Sequence, residues 1–262
     1  MKITLITSNK PRHNYLINLL SKNCKKLFVI QECSTIFTGH KSGIYQKNKI
    51  IDEYFKKVAI AEKKIFFEKP VSCKNITFIS IQKGDLNLLK LKKINSVLKS
   101  DLYIVFGSSY IKGSLINFLI KKKTINIHMG LSPYYRGTDC NFWALYDNNP
   151  ELVGATLHLI SKGIDNGKII ANATSEYIKN PFIYSMSTVK AAFFCLQTLI
   201  KSKKVKKIKP VKQDIKLEVR YSRLKEFTPS VIKKYYKKKI INKKRNFKLI
   251  NSYKLKAEHI FN

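Results

Sequence analysis

The chain has 262 residues, 44% of them hydrophobic, enough to bury a full core, and it fits one α/β body better than two independent domains. Lys and Arg number 51 against 16 Asp and Glu, a formal charge of +35 that taken alone points to nucleic acid or an anionic membrane. Only five of those cations are arginine (Arg12, Arg136, Arg220, Arg223, Arg245) and lysine runs from end to end, so nucleic-acid recognition is a possible but not a favoured reading, and a solvated basic surface is preferred.

Residues 3–7 alternate like a buried strand and are too short an apolar run for a signal peptide, so a cytoplasmic location is expected. Further strands are predicted at 27–31, 76–79, 102–106 and 124–128, with helices between them at 13–21, 49–66, 86–99 and 112–120. This alternation predicts an α/β, doubly wound, Rossmann-like and mostly parallel sheet. After Gly154, strands at 155–160 and 168–173 bracket a turn-rich loop. A helix over 184–201 follows; the weakly charged stretch containing it is broken by Ser185, Ser187, Thr188, Lys190 and Gln197, which suits a core helix and not a membrane span. The division is a catalytic body over 1–203 and a short basic C-terminal extension over 204–262. In that extension Thr228-Pro229 reads as the cap and first residue of a helix toward Lys238, and Val231, Tyr235 and Tyr236 suggest a homodimer contact. The densest basic runs there are Lys203-Lys204, Lys206-Lys207 and Lys243-Lys244-Arg245. Cys24, Cys33, Cys73, Cys140 and Cys195 show none of the close pairs that zinc or redox motifs need, so free thiols and no metal are expected.

In open α/β sheets ligands gather outside the carboxyl ends of the strands. Two such ends are unusual. In Phe106-Gly107-Ser108-Ser109-Tyr110, small residues after an apolar strand let the backbone approach a flat ligand. In Asn126-Ile127-His128, the polar residues at i and i+2 share one face. Together with Asp165, in the glycine-flanked run Gly163-Ile164-Asp165-Asn166-Gly167, they can stabilise a charged tetrahedral centre and move its proton, as acyl transfer requires, without metal or covalent intermediate. Taken singly, His128 reads as a packing residue and the Asn and Asp as turn formers; the three together favour catalysis. His158, inside an apolar run, and His13 and His40, without partners, are given no role.

The run from Thr124 through Asn126, His128 and Pro133-Tyr134-Tyr135-Arg136-Gly137, paired with the Asp165 loop, resembles the folate-dependent formyltransferase family, whose members share an Asn-x-His strand end, a Pro-x-Tyr-Arg-Gly loop and an Asp-x-Gly loop. The motif match covers 102–170. The resemblance implies the formyltransferase fold and transfer of a formyl group from 10-formyltetrahydrofolate to a primary amine, with Asn126, His128 and Asp165 as catalytic positions. It sets the pterin against Phe106, Gly107, Ser108, Ser109, Tyr110, Ile111 and Ile164, and the amine on the Pro133–Gly137 side. There Tyr134 and Tyr135 offer aromatic surface to a sugar or base. Arg136 reads equally as an anion contact or as a scaffold pair to a carboxylate; Lys10 and Arg12 are further anion candidates. Glycinamide ribonucleotide enzymes carry a glycine-rich phosphate loop after the first strand, where this chain has Ser8-Asn9-Lys10-Pro11-Arg12-His13. Methionyl-tRNA enzymes add a C-terminal β-barrel for which the extension is short. By elimination the acceptor is expected to be a nucleotide-linked amino sugar; the alternatives are a methionyl-tRNA formyltransferase-like enzyme, or an RNA-binding module on a degenerate transferase scaffold.

Overall fold

A computed structural model describes residues 1–34, 48–67, 69–205, 207–241 and 247–261. His40, Lys206 and the Lys243-Lys244-Arg245 run lie outside the described residues. The apolar runs of the first half become β1 (Lys2–Ser8), β2 (Lys26–Cys33), β3 (Ile76–Gln82), β4 (Leu102–Phe106) and β5 (Ile125–His128). The helices between them are α1 (Pro11–Ser21), α2 (Lys49–Phe66) and α3 (Gly113–Lys121). β1 pairs in parallel with β2 and β4, β2 with β3, and β4 with β5. A crossover helix feeding a parallel strand buries both faces of the sheet, which is why β1 and β4 are almost wholly apolar and buried.

The second half adds β6 (Tyr135–Gly137), α4 (Cys140–Tyr146), β7 (Ala155–Leu159), β8 (Ile169–Ser175), α5 (Pro181–Lys201), β9 (Arg220–Ser222), α6 (Pro229–Lys237) and β10 (Tyr253–Leu255). β7 is antiparallel to β5 and to β8, and β10 closes the edge parallel to β8, giving the eight-stranded order β10-β8-β7-β5-β4-β1-β2-β3. The mostly parallel α/β sheet is as expected. The 21-residue α5 is long and apolar enough to cross a membrane, yet 72% of its apolar window is buried inside this fold, against β7, β8, β10 and α2. It is a core helix.

One predicted helix is absent. Across 86–99 the chain forms a single 3-10 turn (Asp85–Leu88) and then a series of turns. The end of the segment is tied to the sheet by side-chain bonds: Thr4 Oγ1 donates to Val97 O at 2.6 Å and the Tyr103 hydroxyl donates to Leu98 O. Leu86, Ile94, Val97 and Leu98 still cover the sheet, so the apolar spacing was meaningful although the helix was not.

The extension packs back onto the body. Thr228 caps α6 from its side chain, as expected, and Ile232 and Tyr235 of that helix are buried against Tyr54, Phe142 and Phe227. Tyr235 is therefore taken by the chain's own core and does not serve the dimer contact expected of it. β9 pairs with β6, and Arg220 grips Asp147 with two hydrogen bonds of 2.8 and 2.9 Å while stacking over Trp143.

Candidate active site

β5 is only four residues long, and its alternation sends Asn126 and His128 to the same side. The antiparallel register sets His158 of β7 directly opposite Asn126 and Thr156 opposite His128. Thr156 fixes the loop that leaves β5: its Oγ1 donates to Gly130 O at 2.7 Å and accepts from Ser132 N at 2.9 Å. A Cβ on Gly130 would fall on His128 Nε2 and on Cys140, so glycine is required there for the ring to sit down. The Asp165 loop closes over the strand end, with Asp165 itself in a left-handed conformation (φ 49°) that Asp tolerates.

The three predicted residues converge. His128 Nδ1 lies 3.3 Å from Asp165 Oδ2, and His128 Nε2 lies 3.2 Å from the Tyr135 carbonyl. Both ring nitrogens thus face acceptors, and a neutral imidazole can donate to only one of them. Burial holds the His128 pKa below its ordinary value, while Asp165 and the Tyr135 carbonyl pull it back up. Asp165 is held down at about 2: burial acts against ionisation, but the two histidines and the Gly137 amide, 3.3 Å from Oδ2, overcome it. A fixed carboxylate beside a buried imidazole is an arrangement that can take up and return a proton.

His158, given no role from sequence, belongs to this centre. Its Nδ1 faces the Leu159 carbonyl at 2.9 Å, an acceptor, so Nδ1 carries the proton and Nε2 is left to accept from Asn126 Nδ2 at 3.0 Å. The same Nε2 is 3.6 Å from Asp165 Oδ1. His158 therefore decides which way the Asn126 amide is turned, and leaves the second hydrogen of that NH₂ for a ligand. The signal that could have found it is the Thr-x-His pattern of β7, legible only once β5 and β7 are known to be antiparallel neighbours. Two further residues missed from sequence hold the loops. Gln213 of the extension donates to Asp165 O and Gly167 O at 2.7 and 2.8 Å. Buried Glu32, at the end of β2, accepts from Ser109 N at 2.5 Å and Gly84 N at 3.0 Å.

The residues expected around the flat ligand divide in two. Phe106 and Ile111 are buried, Phe106 against His13 (4.6 Å between rings) and Phe193 (5.1 Å). Gly107 takes φ 64° over His13, whose ring occupies the space a Cβ would need, so His13 shapes this loop. Ser108 donates to Ser109 O. Tyr110 and Ile164 are exposed, and the Tyr110 hydroxyl reaches Lys162 O at 3.3 Å, bringing the two loops to one mouth.

On the other side, Tyr134 and Tyr135 do not offer aromatic surface. Both are buried in the aromatic core, where the first hydroxyl donates to Lys248 O and the second is held by Asp147 and Asn149. Arg136 is taken as scaffold: it donates to Glu218 at 2.7 Å and to Ile164 O at 3.1 Å and lies against Tyr221. The open space is a cavity of about 290 Å³ beside His128 and Gly137, lined by Tyr54, Phe142 and Phe182 and by the cations Lys10, Arg12 and Lys83. Burial and the neighbouring cations bring Lys10 down to about 8. Arg12 is paired with Glu62 at 2.8 Å.

Residues 90–193 match the family model described as formyl transferase. The bifunctional polymyxin resistance protein ArnA of Wigglesworthia glossinidia brevipalpis is 31% identical over 145 residues, covering 52% of this chain and 22% of that protein. The methionyl-tRNA formyltransferase of Desulforamulus reducens is 30% identical over 94 residues, 36% of this chain and 29% of that one. The chain thus spans less than a third of the length of either curated relative. In fold it is similar to a sugar N-formyltransferase from Shewanella sp FDAARGOS_354, with a TM-score of 0.54 at 18% identity over 87% of this chain and 78% of that one. Residues 90–193 are thus similar in sequence to the formyl transferases, and the body is similar in fold to a sugar N-formyltransferase.

Proposed function

We propose that the chain transfers a formyl group from 10-formyltetrahydrofolate to a primary amine carried by a nucleotide-linked sugar. The observation that carries this reading is the convergence of the Asn126 amide, the His128 ring and the Asp165 carboxylate at one strand end, between the mouth formed by Tyr110 and Ile164 and the cavity behind His128. Tyr110 and Ile164 suit the faces of a pterin, and the Gly107 turn lets backbone groups meet its edge.

In this mechanism the acceptor nitrogen attacks the formyl carbon and the carbonyl oxygen becomes an oxyanion. The free N–H of Asn126 Nδ2 donates to it. The proton lost by the amine passes to the His128–Asp165 pair and on to N10 of the folate as the carbon–N10 bond breaks, leaving a formamide and tetrahydrofolate. Every atom is accounted for by donor and acceptor, and the enzyme ends as it began.

A nucleotide sugar is favoured because the cavity joins aromatic walls to three cations that suit a diphosphate. The test is formyl transfer from 10-formyltetrahydrofolate to amino-sugar nucleotides, glycinamide ribonucleotide and methionyl-tRNA. One acceptor class is expected to react, with His128→Ala and Asp165→Asn each slower by about 10²-fold or more. Failure of every acceptor to react, with no affinity for reduced folate, rejects the reading.

A further inference from the structure

The helices α2 and α6 pack against each other through their buried sides, with Tyr54 and Tyr235 at 6.5 Å between rings, and each turns its opposite side outward. The exposed positions of α2 are lysines with two exceptions, Glu53 near its start and Ile60, which is 67% exposed. Lys56, Ile60, Lys64 and Phe67 recur at the three- and four-residue spacing of one helix face. Phe67 ends the helix at φ 49°, a place where glycine is ordinary, and is itself 42% exposed. α6 contains no carboxylate and exposes Lys233, Lys234, Tyr236 and Lys237. The two surfaces meet where Lys57 Nζ stands 4.3 Å from the centre of the Tyr236 ring. Near the C-terminal end of α2, Lys64 Nζ lies 5.3 Å from the centre of the exposed Phe261 ring.

Lysines interleaved with exposed apolar and aromatic side chains match the two layers of an anionic bilayer surface, phosphate headgroups outside and the acyl boundary beneath. A second copy of the chain would set these lysines against lysines. A nucleic acid gains most from arginine forks and from stacking, and neither helix contains arginine, while Ile60 has no ring to stack. We propose that the outward side of α2 and α6 is a docking surface for an anionic phospholipid bilayer, with Lys57, Lys64 and their neighbours on the headgroups and Ile60 and Phe67 entering the boundary below. The surface gives part of the +35 charge a place at which to act, and it is independent of the acyl-transfer reading.

The test is co-sedimentation of the whole chain with phosphatidylcholine vesicles, with and without phosphatidylglycerol as about a third of the lipid, at about 0.1 M salt. Three double variants are compared, each with its melting temperature. Lys57→Gln/Lys64→Gln removes charge from the face. Ile60→Gln/Phe67→Asn removes apolar surface at constant charge, with Gln suited to a helix and Asn to the left-handed end. Lys90→Gln/Lys93→Gln removes the same charge elsewhere: α2 packs on the side of the sheet to which Leu5 points, and the segment around Ile94 on the side of Ile6. The unsubstituted chain is expected to partition to the anionic vesicles about tenfold or more over the neutral ones. Loss of Lys57 and Lys64 should cost about tenfold or more, at roughly fivefold per lysine, and loss of Ile60 and Phe67 about threefold or more, with the Lys90/Lys93 variant within about twofold. If the opposite-face variant costs as much as Lys57→Gln/Lys64→Gln, or the apolar pair changes nothing, the adhesion is diffuse charge and the face is not a docking surface. Failure to bind anionic vesicles overturns the proposal, as does retention of single-stranded RNA in place of vesicles, or a dimer that Ile60→Gln/Phe67→Asn dissolves. Formyl transfer in solution is untouched by any of these results.

Discussion

At the scale of single residues, the site turns on which atoms are donors and which acceptors. Asn126 can stabilise an oxyanion only if its NH₂, and not its carbonyl, faces the substrate, and nothing in the Asn side chain itself decides between the two. His158 decides it, because the Leu159 carbonyl claims the Nδ1 proton and leaves Nε2 as an acceptor. Replacing His158 with Ala removes that acceptor. The expected result is a fall in kcat of about tenfold to a hundredfold with the KM for the folate donor little changed, since donor orientation matters most when charge has developed. A variant with normal kcat would show His158 to be a packing residue.

At the scale of elements, the arrangement depends on a clamp made by two three-residue strands far apart in the chain. β6 carries Arg136 and Gly137, and β9 brings Arg220 and Ser222 against them, with Glu218 just before it. Gly137 donates its N–H to Asp165, takes φ 93°, and approaches Ser222 so closely that a Cβ would land on the Ser222 carbonyl oxygen. Gly113 also has a positive φ, of 62°, but a Cβ there meets nothing within 4 Å. Gly113→Ala should therefore show only the backbone strain of about 1–2 kcal/mol, whereas Gly137→Ala must also part β6 from β9 and withdraw the amide from Asp165. Thermal melts should show the larger loss at Gly137, and formyl transfer should collapse there alone. Equal losses would mean that the β9 contact has little influence on the site. The same clamp shows where the sequence was legible. The strands of the first half and the i, i+2 pair on β5 could be read because periodicity and strand ends are local properties, and Asp165 could be read from the glycines around it. The pairing of β5 with β7, the β6–β9 contact and the return of β10 to the sheet edge join residues as much as 85 apart, and no local pattern encodes them. The fate of Tyr134 and Tyr135 was hidden for a related reason: an aromatic in a loop serves a core or a ligand equally well until its neighbours are known.

At the scale of the whole molecule, the charge of +35 and a set of buried titratable groups act together on stability. Burial holds the His13 and His128 pKa values below 6.5, so as pH drops past that value the unfolded chain takes up protons the folded one refuses, and stability is lost. Asp165 works the same way lower down: the stability from its ionised form is present above its ordinary 3.8 and disappears as pH falls through about 2. Lys10 and Lys190 are brought down to about 8 by burial, the second beneath the Ile260 carbonyl at 3.0 Å. Between about 8 and 10.5 the unfolded chain retains protons that these two have released on folding, so stability rises with pH. Above 10 the sign reverses, because burial raises the Tyr135, Tyr184 and Tyr235 pKa values and the unfolded chain sheds protons first. Loss of lysine charge above pH 9 also relieves self-repulsion in the folded state. The melting temperature is thus expected to climb from pH 5 through 7 to a maximum between about 9 and 10, measured at fixed ionic strength, and to rise with added salt at pH 7 as repulsion is screened. Replacing Lys190 with Met should flatten the climb between pH 8 and 10 while leaving the slope below pH 7 unchanged, since that limb belongs to the histidines. A maximum at neutral pH, or a climb that Lys190→Met leaves as steep as before, would show that net charge alone, and not the buried lysines, sets the alkaline limb.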